Sequence, residues 1–366
     1  MFSWIPSKYY LKALFRPGRQ RKSLEDIAVN AVEIAPPIKR RNRAAIMLPG
    51  ILERITGYCF GTDKEFESIR LSGEIVEHGA TCAYQLNKAV LLDGNLFSAG
   101  EIFPQLNKRK HHLFNNINVE NSESALTSSF LGSIYFGHWF LDDCVRYLIA
   151  NQFGQVVAPI TKKHLHQPEY EQRLAMQVHD CDAIQFNNLW LFDDRGQNDL
   201  KRERYNILRT RLLNSVNIPS PVMHEGVYII RALNGVRRLL TNESEVAERF
   251  RRRGFRIIDP ELMSAEEIIR ALAGAKIAAG VEGSALSHAV ALMAPNTTLL
   301  VINPPNRFNS VFKDMADCKE IYYAVMVGIA NGEDFSLKLD ELEKTLDLIS
   351  LRVTANNTAD SRLVLN

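Results

Sequence analysis

Hydrophobic and polar positions are most regular in the second half of the chain. The run Val227-Tyr228-Ile229-Ile230 predicts a strand. Asn242 with Glu245 three residues on is a helix-start signature, and Val246, Ala247 and Phe250 give that helix an apolar face. Gly254 ends it, and residues 255–258 form the next strand. Ser264 with Glu267 is a second capping box, opening a helix that turns Ile268, Ile269 and Leu272 inward until Gly274. Residues 276–279 make a third strand, residues 284–293 a helix, and Pro295-Asn296 turns the chain into a fourth strand over 298–302. Strand and helix alternate every roughly 20–25 residues, which predicts a parallel, doubly wound α/β sheet. Residues 339–351 carry Leu342, Leu346 and Ile349 at helical spacing and predict an amphipathic helix that needs a surface to cover.

The first half is less periodic. Lys88-Ala89-Val90-Leu91-Leu92 followed by Asp93-Gly94 reads as a strand entering a turn. Residues 155–160 and 189–192 read as short buried strands, and residues 137–150 as a helix. The stretch 194–225 is first polar and basic, then carries Pro219 and Pro221, so it reads as a helix followed by a linker. The expected organisation is a basic aromatic segment (1–30), an N-terminal α/β domain (31–220), a C-terminal ligand-binding domain (221–330), and a closing helix with its tail (331–366). No internal repeat or low-complexity tract interrupts this order.

Composition narrows the picture. A chain of 366 residues that is 46% hydrophobic and 23% charged is long enough for two ordinary globular domains. Its net charge of +2 makes no global case for a nucleic-acid partner. Local charge is uneven: residues 1–22 interleave Lys8, Lys12, Arg16, Arg19, Arg21 and Lys22 with Phe2, Trp4, Tyr9, Tyr10 and Phe15. This segment reads either as an interfacial helix on an anionic membrane surface or as a terminal helix docked on its own domain. Five dispersed cysteines without CxxC spacing argue against a disulfide framework and a zinc site. No apolar run approaches the roughly 18–20 residues that span a bilayer, and charge interrupts the N-terminus too often for a secretory signal. A cytoplasmic protein is expected, with peripheral contact on the inner face of the cell membrane left open, as is a homo-oligomer.

Three groups of residues carry candidate chemistry. Gly280-Val281-Glu282-Gly283-Ser284-Ala285-Leu286 reads as a strand end, a tight turn and a helix start. Free backbone N–H groups there suit an anion, Ser284 can cap the helix, and Glu282 can accept bonds from a ribose diol or base edge. The pattern is neither a dinucleotide fingerprint nor a P-loop. About 50 residues upstream, Arg231, Arg237 and Arg238 follow a strand and offer donor forks suited to diphosphate oxygens. A solvated basic loop would look the same in sequence. Finally, His138 and Asp142 stand four residues apart on the 137–150 helix and share a face. They form a candidate general base, or a base with its orienter, unless the contact is purely structural.

Together these blocks resemble the glycosyltransferase 61 family. Gly137-His138-Trp139-Phe140-Leu141-Asp142 is similar to the family's His-Trp-x-x-acid helix. Arg231 through Arg238 with Asn242-Glu243 is similar to its Arg…Arg…Asn-Glu block, and residues 280–286 to its Gly-x-His-Gly-Ala-x-Leu turn. Glu282 stands where many members have His, Ser284 replaces the commoner Ala, and Ser287 or His288 the usual Asn. The resemblance implies a GT-B architecture, two Rossmann-like domains facing across a cleft, with a nucleotide-sugar held by the C-terminal one. It implies inverting transfer to a glycan or polysaccharide acceptor, as in capsular and extracellular polysaccharide assembly, without an obligatory metal or other cofactor, and weakly favours UDP.

On this reading Asp142 or His138 is the base. Arg231 and Arg238 stabilise the leaving group with backbone N–H groups of Gly283 and Ser284, and Arg237, Asn242, Gly280, Glu282 and Leu286 complete the donor site. The closing helix is expected to return to the N-terminal domain. Two other classes stay open: a non-catalytic nucleotide-sugar-binding scaffold of a polysaccharide assembly complex, and another nucleotide-using α/β enzyme such as a dehydrogenase.

Overall fold

The computed structural model describes residues 2–3, 22–107, 115–231 and 239–363. Residues 4–21 of the basic aromatic segment, and Arg237 and Arg238, lie outside the described residues. The chain forms two compact units, Met1–Ile38 with His78–Arg204, and Lys39–Glu77 with Tyr205–Asn366. Among the described residues no helix is long and apolar enough to cross a membrane.

The first unit is built on a mixed sheet. Its strands are β1 (Asn30–Ala35), β2 (Thr81–Leu92), β3 (Asn95–Ser98), β4 (Glu101–Pro104), β5 (Asn118–Leu126), β6 (Gln155–Pro159), β7 (His179–Cys181) and β8 (Ile184–Asp193). The order is β7-β6-β5-β8-β2-β3-β4, and β1 also pairs with β2. From β7 to β8 neighbours run parallel; from β8 to β4 they run antiparallel. Only half of this sheet therefore matches the parallel, Rossmann-like form expected of it. The cause is local. Asp93 and Gly94 both take positive φ (51° and 72°), the pattern of a two-residue hairpin turn, and so short a link forces β2 and β3 to run antiparallel. Leu86, Leu91, Leu96, Phe186 and Leu189 build one core of the unit, and Ala83, Tyr147, Ala150 and Trp190 a second.

The second unit carries a five-stranded, wholly parallel sheet: β9 (His224–Ile229), β10 (Phe255–Ile258), β11 (Ala275–Val281), β12 (Thr298–Asn303) and β13 (Tyr322–Val327). β12 and β13 are buried along their whole length, as parallel strands covered on both faces must be. Helices Glu243–Arg252 and Ala265–Leu272 follow β9 and β10, and both stop at glycines in the left-handed region, Gly254 (φ 82°) and Gly274 (φ 79°). The Ser264–Glu267 capping box forms in full. At Asn242 it does not: no side-chain cap bond is made, because the amide is engaged elsewhere.

Two segments join this unit in ways that patterning alone did not show. Residues 39–77, inside the span 31–220, lie in the second unit. Ile46 pairs with its edge: the Ile46 N–H donates to the Tyr323 carbonyl at 2.9 Å and the Val325 N–H to the Ile46 carbonyl at 3.0 Å. The Arg54 guanidinium then grips Glu341 with two bonds of 2.7 and 2.6 Å. The helix Leu339–Leu363, expected to return to the N-terminal domain, belongs to the second unit as well. Leu342, Leu346 and Ile349 pack with Tyr228, Val246, Phe250 and Met326 in that unit's own core. The sheet left an apolar face beside the helix Glu243–Arg252, and this helix is what covers it.

Candidate active site

The sheet order of the second unit is β10-β9-β11-β12-β13. The chain winds outward from β9 to β10, then crosses back to β11 on the other side of β9. In open α/β sheets that reversal leaves a crevice beyond the carboxyl ends of the two strands, where ligands bind. Arg231 follows β9 and the turn 280–283 ends β11, so both lie at this reversal. The Arg231 Nη1 donates to the Glu282 carbonyl at 3.0 Å. The Arg231 N–H and the Tyr228 hydroxyl both donate to Glu243 Oε1, at 2.8 and 3.0 Å. Burial lowers the Arg231 guanidinium from its usual value; Glu243 opposes this, and the like charge of Arg307 adds to it.

The glycines have distinct reasons. A side chain on Gly280 would crowd the Ile229 carbonyl at 3.0 Å and Leu286 Cδ2 at 3.1 Å. Gly283 takes φ +157°, and a Cβ there would stand 2.6 Å from Arg231 Nη1. Glu282 is buried, with its N–H donating to the Ile302 carbonyl at 2.9 Å. Leu286 is fully buried under the turn. The helix starts at Leu286, two residues later than expected, with Ala285 at its N-cap and no side-chain cap bond. The capping role expected of Ser284 is thus not taken up. A tight turn occupies these positions instead: the Leu286 N–H donates to the Gly283 carbonyl and the Ser287 N–H to the Ser284 carbonyl, both at 3.1 Å.

Asn242 opens the helix that follows β9 and spends both amide atoms on one peptide neighbour. Its Nδ2 donates to the Leu337 carbonyl at 2.9 Å, and its Oδ1 accepts from the Leu337 N–H at 3.0 Å. Sequence reasoning missed Arg307. It follows β12, its Nε is buried without a hydrogen-bond partner among the described residues, and its charge reaches Arg231. The only sequence signal was an arginine a few residues past a predicted strand.

In the first unit the 136–150 segment is helical throughout, but Trp139–Asp143 is a turn of π-helix between Phe136–His138 and Cys144–Ala150. The Cys144 N–H reaches back to the Trp139 carbonyl. Such wide turns often mark functional positions. His138 and Asp142 meet as expected: Nδ1 of the imidazole lies 2.8 Å from Asp142 Oδ2. The other carboxylate oxygen, Oδ1, accepts from Lys201 Nζ at 3.2 Å. Lys201 is fully buried and also donates to the Asp194 carbonyl at 2.7 Å, while Asp194 takes two bonds of 2.7 Å from Arg204. Burial would push the Asp142 carboxyl up, but the Lys201 ammonium and the His138 contact outweigh it and hold the group well below the usual carboxylate range.

A carboxylate held so firmly ionised is a weak proton acceptor and a strong orienter. With Nδ1 committed to Asp142, any proton transfer at this imidazole would have to use Nε2. The next residue faces elsewhere. Asp143 accepts from the Ser129 N–H at 3.1 Å and Arg146 Nη1 at 2.8 Å, and burial, against those partners, pushes it up to about 6. Lys201 was invisible as a site residue, since nothing in its local pattern links it to position 142.

The helix with its imidazole–carboxylate pair, the arginine after β9 and the glycine turn after β11 occur in the order of one known family. Residues 136–300 match the Glycosyltransferase 61 family model. The match covers the 136–150 helix and the donor residues read from the sequence, but ends within β12, before Arg307. That match supports the resemblance to glycosyltransferase family 61, and with it a glycosyltransferase. No curated protein matches the chain.

Proposed function

We propose that this chain is an inverting, metal-independent glycosyltransferase of GT-B type. It moves a sugar from a nucleotide-sugar, in our reading UDP-linked, to a glycan or polysaccharide acceptor. One observation carries the donor assignment: Arg231 and Gly283 meet at the point where the order of a parallel sheet reverses, the place where such sheets take ligands.

In this reading the acceptor hydroxyl oxygen attacks the anomeric carbon as its bond to the diphosphate breaks. His138 Nε2 takes the hydroxyl proton, and Asp142 on Nδ1 holds the ring and stabilises the imidazolium that forms. Negative charge grows on the departing diphosphate. Arg231 and Arg307 meet it, helped by backbone N–H groups of the 283–284 turn and by Arg237 and Arg238, for which the family resemblance is the support. Asn242 acts by positioning the loop, and Glu282 is assigned to the nucleoside.

The test is nucleotide release by the purified protein from UDP-, GDP- and CMP-sugars, alone and with oligosaccharide acceptors. Arg231→Ala should cut UDP affinity sharply. Nucleotide binding with no turnover on any donor would favour the scaffold reading; binding of NAD in preference to UDP would sink both.

A further inference from the structure

Residues 39–77 belong to the second unit but lie outside the 136–300 region that the family model matches. What they add can be followed outward from the glycine turn. The Glu282 N–H donates to the Ile302 carbonyl at 2.9 Å, so the turn 280–283 is bonded to the end of β12. The next residues fold back over that end: Asn303 Oδ1 accepts from the Asn309 N–H at 3.4 Å, closing the loop that carries Arg307. Residues 56–60 lie along this loop. The Thr56 N–H donates to the Pro305 carbonyl at 2.7 Å, the Phe308 N–H to the Gly57 carbonyl at 2.8 Å, and the Cys59 N–H to the Phe308 carbonyl at 3.1 Å. Gly57 permits the approach, since a Cβ there would stand 2.5 Å from the Asn306 carbonyl oxygen. The fully buried Phe308 meets Tyr58 edge to face, with ring centroids 6.3 Å apart, and anchors the strip.

Phe60 ends the strip, and two properties set it apart. Its backbone takes φ 58°, in the left-handed region where a bulky side chain is an outlier, and such outliers cluster at ligand-binding positions. Its ring is also placed against a cation. The Arg307 guanidinium lies over the ring, 5.7 Å from the centroid, within reach of a cation–π contact. The ring still leaves Phe60 59% exposed, so apolar surface remains for another partner. Arg231 contacts the turn, the charge of Arg307 reaches Arg231, and Phe60 stands against Arg307. Two cations are followed by an aromatic face.

We infer that Phe60 stacks on the base of the donor nucleotide. A nucleoside diphosphate carries the matching series: two phosphates, a ribose, then a planar heterocycle. The phosphates call for the arginine forks and the heterocycle for an aromatic face. Stacking of this kind tolerates every base, because each has a π-face. Phe60 therefore separates a nucleotide from a bare diphosphate and leaves the choice among bases to groups at the base edge. The assignment rests on the donor reading above. It extends that reading to a segment that lies more than 200 positions before the glycine turn, as the residue numbers show.

The test is calorimetric titration of the full chain with UDP, GDP and CDP, the tightest of the three then being used on Phe60→Leu and Phe60→Trp. Both variants keep an apolar side chain at an exposed position, so their melting temperatures should match the wild type. Phe60→Leu should weaken nucleotide binding by about fivefold to 100-fold, the worth of one base–aromatic stack. Phe60→Trp should bind at least as tightly as the wild type. Inorganic pyrophosphate, which has no base, should show no difference among the three proteins. Unchanged nucleotide affinity in Phe60→Leu overturns the stack and leaves the transferase reading in place. So does a fall in Phe60→Trp as large as in Phe60→Leu, or a loss of pyrophosphate binding equal to the loss of nucleotide. A wild type that binds none of the three nucleotides sinks the donor reading and the stack together.

Discussion

The guanidinium of Arg231 fills the space that a side chain on Gly283 would need. A Cβ there would stand 2.6 Å from Nη1, while Nη1 itself donates to the Glu282 carbonyl at 3.0 Å. The glycine turn and the arginine, 52 positions apart in the chain, are therefore one piece of structure, as the two residue numbers show.

Gly283→Ala should act through Arg231. The clash is with the far end of a flexible side chain, so the arginine swings away and the fold survives, at a backbone cost of about 1–3 kcal/mol for the φ of +157°. Displacing one charged donor should weaken UDP binding by about 10–100-fold. Calorimetric titration with UDP measures this; unchanged affinity would separate the turn from the ligand.

Arg307→Ala should resemble Arg231→Ala in nucleotide affinity, although the two residues leave different strands. Removing Arg307 also removes a like charge that disfavours the protonated Arg231. A loss on the order of 10-fold in UDP affinity is expected, with little change in melting temperature. Equal UDP affinity in the variant would remove Arg307 from the site.

Asp142→Asn should abolish transfer and leave UDP binding intact, because it frees the His138 ring and removes its counter-charge. Lys201→Met should cost more in stability, about 3–5 kcal/mol, since it strands a carboxylate beside a buried network. The pH dependence has a definite sign. The folded-state pKa of Asp142 is depressed, so its stabilising contribution is complete above the ordinary aspartate range and is lost only as pH falls below it. Acid unfolding of Asp142→Asn should therefore lack part of the wild-type slope below about pH 4.

Asn242→Ala separates positioning from contact. Both amide atoms bond the Leu337 backbone, so the substitution should cost about 1–3 kcal/mol in denaturant unfolding. At saturating stability, at low temperature, its UDP affinity should fall less than that of Arg231→Ala. A larger fall would place Asn242 on the ligand.

Lys319 gives the second unit a signature in the alkaline range. It is buried, donates to the Ala291 carbonyl at 3.2 Å, and burial pushes it down to about 7, with Arg209 adding to the effect. Between that value and the ordinary lysine range the unfolded chain binds the extra proton, so this site makes stability rise with pH from about 7 towards 10. Lys319→Met should flatten the rise in melting temperature between pH 7 and 9.5. A slope equal to the wild type would show that Lys319 keeps its charge when folded.

Much of the second unit was legible in the chain itself. Residues 255–258 form the strand their pattern predicts, Ser264 and Glu267 close their capping box, and Gly254 and Gly274 stop their helices, because each depends on near neighbours. The His138–Asp142 bond was legible for the same reason: four residues on a helix bring two side chains together whatever surrounds them. Local spacing cannot see across the sheet. Asn242 carries a helix-start pattern, yet Leu337, 95 positions on, captures its side chain. Ser284 is placed to cap, yet a tight turn delays the helix to Leu286. Lys201 reaches Asp142 only because the fold buries its ammonium there. The segment 39–77 joins the second unit through an edge strand, the Arg54–Glu341 pair and a few apolar contacts too sparse to announce a partner. Periodicity records which face of an element is buried; it does not record against what. Most elements of the second unit and the His138–Asp142 pair belong to the sequence. The arginine under the glycine turn and the buried lysine behind the carboxylate came only with tertiary structure, which alone brings distant side chains within bonding distance.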